Sequence, residues 1–167
     1  MKKRTFVLLL TIVLSLVISA CSNSSNSSNS KEAAIQATAS AKEMVDQMFE
    51  QIEQPMLMEL DPEMIENLYH LDAALFEEYT IRTPLMNVQT NEIAIVKVKD
   101  AKDIATVEAA IKQRATDVQK QFETYLPDQY ENAKNYKLVT KGNYILFVIS
   151  DKADELVKAY DSFFEQK

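Results

Sequence analysis

The chain has 167 residues, 18 of them basic and 25 acidic, so one folded domain with short appendages and a net charge of −7 is expected. This acidic balance argues against nucleic acid as a partner, because binding to phosphates requires clustered lysine and arginine. The single glycine excludes the glycine-rich loops that hold phosphates and dinucleotides, and the single cysteine excludes an internal disulfide.

The N-terminus has the order of a bacterial secretory signal. Basic residues at 2–4 precede an almost wholly apolar run over residues 6–18, and small residues separate this run from Cys21. The segment VISAC, which ends at Cys21, resembles the lipobox of bacterial lipoproteins. That resemblance implies that residues 1–20 are a signal peptide and that Cys21 carries a lipid. We therefore expect a protein held at the extracytoplasmic face of the cell membrane, with an uncleaved anchor helix as the alternative.

Residues 21–30 are predicted to be the lipidated cysteine and a flexible tether. The tether consists only of serine and asparagine, so it has no apolar surface to bury on ordering. Cleavage before Cys21 would remove three basic residues and no acidic one, which changes the net charge from −7 to −10. This charge argues against electrostatic docking on anionic lipid, so the acyl chains are the expected contact with the membrane.

Residues 31–60 are predicted to be an N-terminal helical region. Apolar residues recur at steps of three and four between Lys31 and Gln54, and Pro55 ends the pattern. The first half of this segment is rich in alanine and only weakly apolar, so we expect the helix to be frayed at its start.

Residues 61–167 show alternating helical and strand patterns. Asp61-Pro62-Glu63 predicts a capped helix start, and Asp72 predicts a second cap for a short turn that extends to Tyr79. Residues 79–86 are rich in strand formers, with Pro84 indicating an edge strand or a bulge.

A second strand and a long helix follow. Residues 93–99 alternate so that Ala94, Val96 and Val98 share one face. Residues 103–126 have the clearest helical periodicity in the chain, and Pro127 forces a break before a short helix that runs to about residue 135.

The last part of the chain predicts a hairpin and a helix. Residues 137–140 and 144–149 flank Gly142, which we expect in a tight turn with positive φ. The continuous apolar run over 144–149 predicts a central strand buried on both faces, and residues 151–164 predict a final helix. The expected fold is α+β, with a small, mostly antiparallel sheet of about four strands covered by helices, largely on one face. Two strand-strand-helix units are a possible internal repeat.

Two stretches of the sequence carry a resemblance to a known family. One joins PLMN at residues 84–87 to EIAI at 92–95, and the other joins LPDQY at 126–130 to KGNY at 141–144. Together they resemble the DUF4358 family, lipoprotein-like proteins of Gram-positive bacteria, mainly Firmicutes. The resemblance covers roughly residues 61–164 and implies no activity or site, because this is a domain of unknown function.

The candidate chemistry is sparse. His70 is the only histidine, so a zinc ligand set or a serine triad is not supported, and a surface or helix-end position is favoured. The clustered tyrosines predict either a recognition surface or a packed corner. The residues of the predicted surface are Tyr125, Asp128, Gln129, Tyr130, Asn143 and Tyr144. Carboxylates that could serve a hydrolase include Asp128, Glu131, Asp151, Asp154 and Glu155, all of which also suit helix starts or solvated faces.

These patterns favour a membrane-anchored, extracytoplasmic binding or interaction module over an enzyme. Its ligand would be an unknown envelope protein or small molecule, and we expect a monomer that needs no cofactor or metal. The alternatives are a cell-envelope hydrolase that uses carboxylates and an assembly accessory for another envelope protein.

Overall fold

A five-stranded antiparallel sheet forms the centre of the protein, in the order β1-β2-β3-β5-β4. The computed structural model describes residues 35–165, which belong to one compact unit, Ala33–Lys167. The strands are β1 Leu57–Glu59, β2 Phe76–Pro84, β3 Glu92–Val98, β4 Lys137–Lys141 and β5 Tyr144–Ile149. The helices are α1 Ala41–Gln51, α2 Pro62–Tyr69, α3 Ile104–Phe122, α4 Pro127–Lys134 and α5 Ala153–Ser162, with 3₁₀ turns at Ala73–Leu75 and Ala101–Asp103. The predicted α+β fold is confirmed, and the sheet has one strand more than expected.

Helices cover both faces of the sheet rather than largely one. Helices α2, α3 and α4 pack on the first face, against residues such as Val96 and Phe147. Helices α1 and α5 pack on the second face, against Ile95 and Leu146. Both central strands carry apolar side chains on both sides, so each face must be shielded from water. Burial on two faces makes β3 and β5 the rigid centre of the molecule.

Side-chain caps set several of the helix starts. Ser40 and Glu43 form a reciprocal capping box at the start of α1. The predicted cap at Asp61, with Pro62 in the first turn, is confirmed for α2. The predicted cap at Asp72 is confirmed, and it starts a 3₁₀ turn. The turn does not extend to Tyr79 as predicted, because strand β2 begins at Phe76.

The edge of the sheet differs from the prediction. Strand β1 is an unpredicted three-residue strand at this edge, and it makes β2 an internal strand. Pro84 ends β2 opposite Leu57, where a missing N–H interrupts little of the pairing. The irregularity in β2 lies at the other end, between Phe76 and Glu78.

The β4–β5 hairpin agrees with the sequence. Gly142 has φ +56° in its turn, and every residue of β5 is buried. The two strand-strand-helix units are β2-β3-α3 and β4-β5-α5. Because β3 pairs antiparallel with β5, a repeat would be related by a two-fold axis perpendicular to the sheet, which keeps both helices on one face. Helices α3 and α5 cover opposite faces, so the two units are not related in this way.

Candidate functional site

A polar cleft of about 690 Å³ opens at the end of the sheet where β3 begins and β5 ends. Its walls come from α4, from the start of α5 and from the loop before β1. Most of its lining side chains are amides or carboxylates. The lining residues are Pro55, Asn91, Asp128, Gln129, Glu131, Asn132, Asn135, Lys137, Ser150, Asp151, Ala153 and Asp154.

Hydrogen bonds from buried Thr90 attach α4 to the start of β3. The Thr90 amide donates to Gln129 Oε1 at 2.8 Å, and the Thr90 hydroxyl lies 3.0 Å from the same oxygen. Asn132 Nδ2 donates to the Thr90 hydroxyl at 3.1 Å. One wall of the cleft is therefore fixed by side chains that also line it, which keeps their positions defined before any ligand arrives.

Ser150 fixes the opposite wall. Its hydroxyl is buried and donates to Gln54 Oε1 at 2.9 Å, which joins the end of β5 to the segment after α1. The amide of Lys152 donates to the same hydroxyl at 3.0 Å and shapes the turn into α5. The cleft is thus built from four separate parts of the chain, and hydrogen bonds join them.

The charge of the cleft is strongly acidic. Four carboxylates line it, but Glu131 is paired with Lys134 at 2.9 Å, so Asp128 and Asp151 are the two lining acids without a lysine or arginine partner among residues 35–165. Lys137 Nζ lies 2.9 Å from Asp154 Oδ1, and this hydrogen bond lowers the pKa of Asp154 below its ordinary value. The cleft therefore offers many acceptors and repels anions, which suits a neutral or cationic ligand with several hydroxyl or ammonium donors.

A family model for a domain of unknown function, DUF4358, matches residues 50–150, which is more than half of the chain. The chain belongs to the DUF4358 family. No curated protein and no solved structure matches the chain. The DUF4358 match contains all five strands and helices α2 to α4, whereas α5 and most of α1 lie outside it.

The structure divides the predicted recognition residues of this DUF4358 protein between different places. Asp128 and Gln129 line the polar cleft. Tyr125 is exposed after α3, and Tyr130 packs against the core with Lys134 Nζ 5.1 Å from its ring centre. The two predicted residues of the β4–β5 hairpin, Asn143 and Tyr144, are at none of these places.

The two hairpin residues lie at the opposite end of β5. Asn143 donates from Nδ2 to the Val98 carbonyl at 3.0 Å, and Tyr144 is buried against the ring of Phe164. The six residues of β5 separate Asn143 from Ser150, a distance of roughly 20 Å. The six predicted residues therefore do not form one surface.

Sequence reasoning missed the amides that complete the cleft, namely Asn91, Asn132 and Asn135. Polar residues directly before β3 and at the end of α4 were the available signal, but only the topology shows that β3 begins where β5 ends. Four of the five acids that the sequence offered as hydrolase candidates are cleft residues. Asp128, Glu131, Asp151 and Asp154 all line the cleft, and Glu155 does not.

A buried ion pair between β3 and α3 was also missed. Glu92 is fully buried and accepts hydrogen bonds from Arg114 and from the hydroxyl of Tyr69. Burial, followed by the nearby charge of Glu92, raises the pKa of Tyr69 well above its ordinary value, so Tyr69 stays protonated and donates. Burial opposes the charge on Arg114, but hydrogen bonds and attraction from Glu92 outweigh it and raise the pKa of Arg114.

Three further observations concern the described part of the chain. His70 is exposed and ends α2 in the left-handed conformation, a helix-end position as predicted. Within residues 35–165, no three histidine, cysteine or acidic side chains lie close enough together to hold a metal ion. No helix among the described residues is long and apolar enough to span a bilayer. Cys21 and the predicted tether lie outside the described residues.

Proposed function

We propose that this DUF4358 protein is a lipid-anchored, extracytoplasmic binding module whose polar cleft holds a saccharide of the cell envelope. The observation that supports the binding role is the acceptor-rich lining of the cleft, part of which is held in place by hydrogen bonds. Amide and carboxylate side chains can bind neighbouring hydroxyl groups of a sugar ring in pairs. A volume of about 690 Å³ lies within the range of small-ligand sites.

The charge of the cleft narrows the class of sugar. Four lining carboxylates, of which Glu131 and Asp154 are paired with lysines, favour a sugar that carries ammonium groups, such as glucosamine that is not acetylated. A phosphorylated or carboxylated sugar would be repelled. The amides supply donors as well as acceptors, so the hydroxyl groups of a neutral ring can also be satisfied.

The hydrolase alternative has less support from this geometry. A carboxylic acid that protonates a leaving group at neutral pH needs a raised pKa, which burial commonly provides. Asp128, Glu131, Asp151 and Asp154 are all exposed, and Lys137 shifts the pKa of Asp154 downwards. Glu92 is buried, but its carboxylate is already bound by Arg114. Binding is therefore the function that these side chains favour.

The membrane anchor rests on the sequence of the leader. The basic residues, the apolar run and Cys21 follow one another in the order that lipid attachment requires. In cells fed a labelled fatty acid, the natural protein should carry the label and sediment with membranes. Cys21→Ala should abolish labelling and either release the protein or leave an unprocessed precursor. Intact-mass analysis that finds an unmodified Cys21 in the mature protein would contradict the anchor.

Titration with a soluble sugar tests the cleft. We expect a tetramer of glucosamine to bind the full-length protein in detergent at least tenfold more tightly than the double variant Asp128→Ala with Asp151→Ala. The matched control, Glu123→Ala with Glu155→Ala, makes the same charge change at exposed positions outside the cleft and should bind like the natural protein. Equal binding by both double variants, or no binding at all, would contradict the saccharide proposal.

A further inference from the structure

The floor of the polar cleft carries a buried amide that binds no other part of the described fold. Asn91 comes directly before β3 and Ser150 directly after β5, and Glu92–Ile149 is the last pair of the ladder at this end. Asn91 and Ser150 therefore lie next to each other on neighbouring strands, and both line the cleft. Both are buried, with exposed fractions of 7% and 4%.

The two side chains differ in what remains free for a ligand. The Ser150 hydroxyl is engaged, because it donates to Gln54 Oε1 at 2.9 Å. The Asn91 side chain makes no hydrogen bond with residues 35–165, although its amide atoms are not fully enclosed by them, so the amide opens into the cleft that Asn91 lines. A polar group in this position is expected to have a partner, and an unused amide therefore points to a ligand.

We propose that Asn91 is the residue through which the cleft selects an amino sugar over a cation that carries no hydroxyl groups, such as a polyamine. This inference rests on the saccharide proposal and names the group that carries its specificity. The Asn91 amide binds ring hydroxyl groups at the floor, and the carboxylates at the rim bind the ammonium group.

Hydrogen-bonding capacity separates the two classes of ligand. A carboxylate only accepts hydrogen bonds, and an ammonium group only donates them. The Asn91 amide does both, through Oδ1 and Nδ2, and neighbouring hydroxyl groups of a sugar ring can satisfy both atoms. A polyamine leaves the Nδ2 donors unpaired. An anion would pair with Nδ2, but the carboxylates around the cleft repel it.

A free carboxylate stands close to this amide. Asp151 Oδ1 lies 3.3 Å from the hydroxyl oxygen of Ser150, and Asn91 is the neighbour of Ser150 on the next strand. Asp151 is exposed at the rim and has no lysine or arginine partner among residues 35–165. An ammonium group at Asp151 and a hydroxyl group at Asn91 can therefore belong to one sugar ring.

The other amides among the described lining residues already hold the cleft together. Gln129 and Asn132 bond to Thr90, and Asn135 donates to a backbone carbonyl of its own helix. Substitution of any of these would change the shape of the cleft as well as its chemistry. Substitution of Asn91 removes no bond within the described fold, so it tests recognition by itself.

Calorimetric titration of the full-length protein in detergent tests the assignment. The ligands are a tetramer of glucosamine and spermine, which carry the same number of amino groups, at a mildly acidic pH that keeps these groups charged. We expect the natural protein to bind the tetramer at least tenfold more tightly than spermine. Asn91→Ala should weaken binding of the tetramer at least fivefold and leave binding of spermine within twofold. The urea midpoint of this variant should not fall, because no bond is lost.

Two more variants complete the test. Asn91→Asp keeps the shape and the acceptor but removes the donors, so it should reduce the preference for the tetramer over spermine at least fivefold. If Asn91→Ala does not fold, the preference measured with Asn91→Asp decides. Asn87→Ala removes an exposed amide on the β2–β3 loop, outside the cleft, and should bind both ligands like the natural protein.

The outcomes separate this assignment from the saccharide proposal. Equal loss of both ligands in Asn91→Ala would show a structural role and overturn the assignment. Unchanged binding of the tetramer by Asn91→Ala would also overturn it, while the saccharide proposal would stand. A natural protein that does not bind the tetramer, or binds spermine equally tightly, would contradict both.

Discussion

Arg114 holds Glu92 in a two-bond ion pair beneath α3, with its Nη2 atom 2.7 Å from Glu92 Oε2. The Glu92 side chain keeps only 1% of its exposure, and the hydroxyl of Tyr69 supplies a third hydrogen bond. Three donors thus satisfy a carboxylate that water cannot reach, which is the condition for keeping such a charge inside a fold.

Removal of one partner should destabilise the protein strongly. Arg114→Met leaves Glu92 buried without its counter-charge, so we expect the free energy of unfolding to fall by about 3–5 kcal/mol. The double variant Glu92→Leu with Arg114→Met replaces both charges by apolar groups and should recover much of this loss. Urea unfolding of the two variants measures the difference. A single variant that is no less stable than the double one would contradict the buried pair.

Thr80 offers the opposite test, a substitution that should stabilise. Its side-chain hydroxyl is buried within β2 and has no hydrogen-bond partner among residues 35–165. Thr80→Val keeps the shape and removes the unsatisfied group, so we expect a gain of about 1 kcal/mol in the free energy of unfolding. A raised urea midpoint with an unchanged slope checks this. Thr140→Val, at an exposed position on β4 where the hydroxyl bonds to Glu108, is the control and should give no gain.

The local elements of the fold followed from the sequence because their causes are local. The cap at Asp61, the break at Pro127 and the turn at Gly142 each depend on one or two residues. Strand β1 could not be predicted, because its three residues pair with β2 and only Leu57 packs against the core. The packing of α1 on the sheet could not be predicted either, because its partner Ile95 lies more than forty residues further along the chain.

The sites were harder to predict because they join distant residues. The tyrosines near LPDQY and KGNY seemed to form one group, but antiparallel pairing places their segments at opposite ends of β5. The Glu92–Arg114 pair did leave a signal. Glu92 is in phase with the buried face of β3, and Arg114 lies three residues after the buried Ile111 of α3. A charge in phase with an apolar face indicates a buried partner, although its identity requires the fold.

The turn at Gly142 should be intolerant of branched side chains. Its φ of +56° disfavours a β-branched residue, and a Cβ atom there would lie 3.0 Å from Ile35 Cβ. We expect Gly142→Val to lower the free energy of unfolding by more than about 1 kcal/mol. Gly142→Asn should lose less, because asparagine tolerates the left-handed region. Urea midpoints of the two variants, each also measured with Ile35→Gly, which removes the contacting Cβ atom, separate the backbone strain from the contact.

The docking of α1 should weaken in acid. A hydrogen bond from Arg82 holds the pKa of Asp46 below its ordinary value of 3.8, with a smaller effect from Lys42. The folded-state pKa is depressed, so this stabilisation is present above pH 3.8 and is lost as the pH falls through the lowered value. The Asp46 side chain is 44% exposed, so the contribution should stay below about 1 kcal/mol.

Comparison with Asp46→Asn isolates this effect from the other titrating acids. The natural protein should be slightly more stable than the variant at pH 7, and the two free energies of unfolding should converge between pH 4 and pH 2. A difference that stays constant over this range would show that the Arg82 contact does not depend on the charge of Asp46.

The last prediction concerns which part of the chain folds by itself. The polar residues before Lys31 contain nothing that could pack, whereas Met44, Val45 and Met48 of α1 are completely buried. A chain that starts at Lys31 should therefore be monomeric and unfold cooperatively, with the acidic charge opposing self-association.

A chain that starts at Pro55 keeps nearly all of the family match but lacks α1, and it should expose the second face of the sheet at Ile95. We expect this shorter chain to bind a hydrophobic dye and to aggregate on size-exclusion chromatography. If it were as soluble and cooperative as the longer one, α1 would not be required for the core to fold. If the longer chain folded only as an oligomer, apolar surface assigned to one core would instead belong to an interface between copies.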